Sequence, residues 1–128
     1  MIRLHVIAEG QTEVRFVKDL LNPHLAAFNV FADARSVMTS RDGSRFFRGG
    51  LKHYAKPRKD ITLWIRQEQK QPDAWFTTMF DLYALPSDFP EYHEAKQEPT
   101  PYARVARLEK AFGLDMDCLC SVDTITSL

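Results

Sequence analysis

Ile2-Arg3-Leu4-His5-Val6-Ile7-Ala8-Glu9-Gly10-Gln11-Thr12-Glu13 opens the chain as an apolar, β-branched run that ends on an acid, a glycine and a second acid. Its β-branched and apolar residues Ile2, Leu4, Val6 and Ile7, placed right at the N-terminus, predict a central buried strand of a sheet flanked by helices. Beyond it, Val14, Phe16, Val17, Leu20 and Leu21 fall at helical spacing, so a helix is predicted from about residue 12, with Thr12 as its cap and Glu13 favoured in its first turn. Pro23 should kink or end that helix, with Leu25, Ala26 and Ala27 giving one more turn. Residues 28–38 read as a second strand parallel to the first.

A matching stretch lies at Ala74 to Phe80, again apolar and β-branched, and it too ends on an acid, Asp81. Between the two, Ile61, Trp64 and Ile65 mark one face of a helix from about Lys59 to Gln69, with Arg58, Thr62, Arg66 and Gln69 opposite. Further on, Glu91 to Pro99 looks irregular. Thr100 then caps a helix whose apolar side carries Val105, Leu108 and Phe112 and which Gly113 should end. The expectation is one α/β domain of three layers, a mainly parallel sheet flanked by helices, over residues 1–114, with 115–128 as an atypical tail.

The 128 residues, 45% hydrophobic, suffice for one small core. Formal charge is zero, yet residues 35–70 hold ten Lys/Arg against three Asp/Glu and residues 81–128 hold four against nine. No apolar run reaches the ~20 residues that span a bilayer, and no signal-peptide pattern opens the chain, which predicts a cytoplasmic protein. Cys118 and Cys120, one residue apart, match neither a redox pair nor half of a zinc knuckle, and read as reduced thiols. The four histidines are scattered without ligand spacing, and the serines lack a nucleophile-elbow context.

Neighbouring parallel strands bring their carboxyl ends together, and open α/β sheets bind ligands in the crevice beyond those ends. Mg2+, or Mn2+ in its place, is held by one or two carboxylates together with water and phosphate oxygens, and Glu9 and Asp81 are the candidate ligands. Glu13 and Asp88 are auxiliary acids, and Gly10 would allow close approach of a substrate. Each has a plainer reading: acids that terminate strands, a dipole-favoured first-turn acid, a turn cap. Arg41, Arg45, Arg48, Lys52, Lys56, Arg58 and Lys59, interleaved with Phe46, Phe47 and Tyr54, are candidates to hold nucleic-acid backbone, the alternative being a solvated face that balances the acidic half.

With Ala8-Glu9-Gly10-Gln11-Thr12-Glu13 and the long run Thr77-Thr78-Met79-Phe80-Asp81-Leu82-Tyr83-Ala84-Leu85-Pro86-Ser87-Asp88-Phe89-Pro90, the sequence resembles a bacterial family of uncharacterised proteins that looks like a Toprim (topoisomerase/primase) domain. The resemblance covers roughly residues 1–112, including Tyr102 to Glu109. It implies a Toprim-like fold in which Glu9 and Asp81 bind divalent metal for phosphodiester chemistry, in a bacterial defence or DNA-processing system beside an ATPase partner. Two departures stand out. The second acid of a strict D-x-D motif would fall on Tyr83, and family members continue with a further strand and helix where this chain reads as truncated from about residue 114. A shortened end predicts an exposed sheet edge, with a homodimer or swapped element as compensation. The leading expectation is a magnesium-dependent nuclease-like domain; the competing one is a non-catalytic partner module that binds an ATPase or nucleic acid.

Overall fold

The computed structural model describes residues 1–37, 41–42, 45–46, 52–68 and 70–117, with backbone alone for 41–42, 45–46 and 117. Its centre is strand β1 (Ile2–Ala8), flanked by β2 (Val30–Ser36) and β5 (Ala74–Met79) in the order β2-β1-β5. Both pairings are parallel: Ile2 lies opposite Val30 and Ala8 opposite Ser36 on one side, and Arg3 lies opposite Ala74 and Ala8 opposite Met79 on the other. The chain thus leaves β1 for one side, crosses back and pairs on the other. That reversal creates a crevice at the carboxyl end of β1, where ligands of such sheets bind.

Alternation along β1 sorts the core into two halves. Val6 and Ala8, with Leu4, pack against Val14 and Val17 and the small Ala32 and Ala34 of β2. This half lies under α1 (Gln11–Phe16) and α2 (Asn22–Ala26). Ile7 faces the opposite way, into Ile61, Trp64 and Ile65 of α3 (Ala55–Glu68), Phe76 of β5, and Leu108, Phe112 and Met116 of α5 (Pro101–Asp117). His5 shares that side, between Trp64 and Phe76 at ring separations of 5.1 and 5.0 Å, with Nδ1 2.7 Å from the Asp33 carboxylate. The molecule is the expected three-layer α/β fold, a parallel sheet with helices on both faces.

Several boundaries differ from expectation, each for a local reason. The first helix begins at Gln11 behind an extended Gly10, so Thr12 lies inside it and caps nothing. The chain also stays helical through Pro23. A π-turn over Val17–Leu21 precedes the proline and lets Asn22 donate to the Val17 carbonyl, and this wider turn accommodates a ring that would otherwise press on the preceding carbonyl. Thr62 is buried, because its hydroxyl returns a 2.7 Å hydrogen bond to the Arg58 carbonyl and leaves only its methyl to pack. Residues 91–99 hold a short helix, α4 (Tyr92–Lys96), entered through a left-handed Glu91. Thr100 does cap α5, its hydroxyl accepting from Ala103 N–H at 3.2 Å. Gly113, however, does not end that helix, which continues to Asp117.

That extension is held in place. Asp115 accepts hydrogen bonds from the Tyr54 hydroxyl at 2.5 Å and from Arg58 Nε at 2.9 Å, joining α5 to the start of α3. Burial alone would disfavour the charged Asp115, but the bonds from Arg58 and Tyr54 outweigh it and keep its carboxyl below the usual range. Burial and the same carboxylate push the Tyr54 phenol up. Within the basic middle, β3 (Arg41–Asp42) and β4 (Arg45–Phe46) form a two-stranded antiparallel ribbon. Arg48, Phe47, the side chains of Arg41, Arg45 and Phe46, and both cysteines lie outside the described residues.

Candidate functional site

Glu9 follows the last residue of β1 and is tied to the neighbouring strand twice. Its backbone N–H donates to the Met79 carbonyl at 3.3 Å, and its Oε2 accepts the N–H of Asp81 at 2.9 Å. Asp81 in turn caps the short 3-10 turn Leu82–Ala84, with Oδ1 accepting Tyr83 N–H at 2.9 Å. Parallel register alone would bring the two strand ends side by side; these bonds fix the Glu9 carboxylate against the Asp81 backbone and orient the Asp81 carboxylate toward the turn that follows it. They leave Glu9 Oε1 and Asp81 Oδ2 without a hydrogen-bond partner among the described residues.

Glu13 completes the acidic group. It lies in the first turn of α1, and its Oε2 sits 3.5 Å from where a Cβ on Gly10 would be. Gly10 has an extended backbone, and a Cβ there would make an ordinary contact, so neither conformation nor space demands glycine. The pKa of Glu9 is raised. Burial is the largest cause, the Asp81 N–H opposes it, and the charges of Asp81 and Glu13 add to the rise. A carboxylate made uncomfortable by two like charges and partial burial is an arrangement that a cation would relieve.

Asp88 belongs to a different junction. Its two oxygens accept the Tyr54 N–H at 2.9 and 3.1 Å, which satisfies a donor at the start of α3. The charges acting on Glu9 are those of Asp81 and Glu13, and Asp88 is not among them. Of the basic candidates, Arg58 is held by Asp115, while Lys52, Lys56 and Lys59 are exposed along the approach to α3 and its first turns. Tyr83, two residues after Asp81, is 82% exposed.

Among the described residues, no group of three or more His, Cys, Asp or Glu is arranged to hold a metal ion. A cation would therefore depend on two carboxylates plus water and substrate oxygens, which is the usual Mg2+ arrangement. The residues fit a site of that open type and not a protein-enclosed cage. Beside Asp81, Phe80, Leu82, Leu85, Phe89 and Phe112 line an apolar pocket of about 60 Å3, which is room for a few waters only. No helix among the described residues is long and apolar enough to cross a membrane.

Spacing found Glu9 and Asp81, because both stand where a strand stops. It did not find Asp115, whose partners are 57 and 61 residues away, nor the junction between Asp88 and Tyr54. The chain belongs to the family described as Domain of unknown function (DUF4276), whose model matches residues 8–121. No curated protein and no solved structure matches it significantly.

Proposed function

We propose that this DUF4276 member is a Toprim-like, magnesium-dependent domain that cleaves nucleic-acid phosphodiesters, with Glu9 and Asp81 as the metal ligands. The observation that carries the reading is the 2.9 Å bond from Asp81 N–H to Glu9 Oε2, which holds the Glu9 carboxylate against the Asp81 backbone at the carboxyl end of the central parallel strands, within reach of the Asp81 charge. The elevated pKa of Glu9 supports it, since like-charge crowding there is what a divalent cation would offset. A bound Mg2+ or Mn2+ would activate water and neutralise charge on the leaving oxygen. Glu9 Oε1 and Asp81 Oδ2 are the atoms left to hold it, and Glu13 adds negative charge. Lys52, Lys56 and Lys59, with the arginines of the 41–48 segment, would hold the nucleic-acid backbone. A role in bacterial defence or DNA processing, beside an ATPase, follows from the resemblance alone.

One observation favours a second reading. The acidic group offers two ligands and an exposed Tyr83 where a further acid would be expected, which suits a non-catalytic module that binds an ATPase or nucleic acid. Plasmid nicking measured against Mg2+ and Mn2+ concentration separates the two. The catalytic reading predicts metal-dependent nicking that Glu9→Gln and Asp81→Asn each abolish. Nicking that never appears, or that survives both substitutions, favours the binding module.

A further inference from the structure

On the β2 side of Glu9 lies a second cavity, of about 260 Å3, with Arg35, Ser36, Ile61, Leu63, Trp64 and Gln67 in its walls. Ala32 and Ala34 of β2 face the α1 side of the sheet, so alternation turns Arg35 toward α3. There its guanidinium carbon rests 4.4 Å from the centre of the Trp64 ring. Trp64 is itself buried and held by edge contacts with His5 and Phe76, at ring separations of 5.1 and 5.9 Å. A guanidinium resting on an immobile indole is a preorganised ledge, and planar rings stack well on such a surface.

The cavity opens at the same end of the sheet as the acids. Ala8 pairs with Ser36 on one side and Met79 on the other, and Ser36 Oγ accepts Gln11 Nε2 at 3.3 Å. Gln11 begins α1, immediately after Glu9 and Gly10. The occupant must be flat enough for the ledge, apolar enough for Ile61 and Leu63, and polar at its edge for Gln67. Asp60 also lies in the wall and opposes an anion. The volume falls just under the range of about 300–1,000 Å3 that serves whole drug-sized ligands, so it suits one ring system and not a base pair.

We infer that this cavity is a nucleobase subsite, in which an unpaired base stacks on the Arg35 and Trp64 ledge while its backbone runs toward Glu9 and Asp81. The choice of a base rests on the phosphodiester reading above, and it narrows the substrate to nucleic acid with unpaired nucleotides. Adenosine, which is uncharged, tests the subsite without metal or cleavage. Equilibrium dialysis of the full chain with labelled adenosine, in EDTA, should show saturable binding. Arg35→Lys keeps the charge but loses the planar fork, and it should weaken binding at least tenfold, as should Arg35→Met, with far-UV circular dichroism unchanged in both. No saturable binding to the wild type overturns the inference. So does full affinity in Arg35→Lys, because that would make the contact one of charge and not of stacking. A failure of the phosphodiester reading looks different: adenosine binds and responds to Arg35, while metal-dependent nicking never appears.

Discussion

Replacing Met116 by alanine tests whether the last turn of α5 belongs to the fold. Met116 is 0% exposed and lies in the core with Trp64, Phe76 and Phe112, beyond the glycine expected to end the helix. Removing a fully buried methionine costs the transfer of its side chain plus the cavity left behind, about 2–5 kcal/mol. A helix near its end can shift to close part of that space, so the lower half, about 2–3 kcal/mol, is expected. For a chain of 128 residues, each kcal/mol moves Tm by roughly 3–6 °C, giving a fall of roughly 6–18 °C. The neighbouring Leu114, 58% exposed, is the control, and Leu114→Ala should change Tm by less than about 2 °C. Thermal unfolding followed by circular dichroism decides it. A Met116→Ala protein that melts with the wild type would mean that α5 is not docked past Gly113.

Asp115→Asn should lower stability at pH 7 by roughly 1 kcal/mol, since it weakens a partly exposed ion pair and a phenol hydrogen bond. Its native pKa is lowered, so the stabilisation is present above the ordinary value of 3.8 and is lost as pH falls below it. The wild-type and Asp115→Asn melting curves should therefore converge in acid, and a constant gap would contradict the assignment. Glu9 has the opposite sign. A raised native pKa means that its charged form costs stability as pH rises above 4.5. Glu9→Gln, which can still accept the Asp81 N–H, should melt higher than wild type at pH 7 in EDTA, and a lower Tm there would show that the carboxylate is structural.

The sheet was legible because β1 and β5 are short, mainly apolar or β-branched runs that are followed by acids, and a parallel sheet is the arrangement that buries such strands on both faces. Helix α3 was legible from Ile61, Trp64 and Ile65, but its start was not, because the groups that organise it, Asp88 and Asp115, come from distant parts of the chain. Gly113 misled about α5. Leu108, Phe112 and Met116 continue the four-residue spacing across it, and that period outweighs a single glycine, whose cost in a helix is about 1 kcal/mol. Helix α4 has five residues, too few to show a period. In the candidate site, Glu9 and Asp81 could be paired from sequence because strand ends converge. The Arg35 and Trp64 ledge could not, since it depends on which face of an edge strand meets α3.

Mn2+ binding, followed by electron paramagnetic resonance of the free ion, tests the central claim most directly. The wild-type chain should bind Mn2+ saturably and Mg2+ should compete for the same site, while Glu9→Gln and Asp81→Asn should each weaken binding by tenfold or more, about 1.4 kcal/mol. Absence of binding, or binding that both substitutions leave unchanged, would contradict a metal site at the carboxyl end of β1.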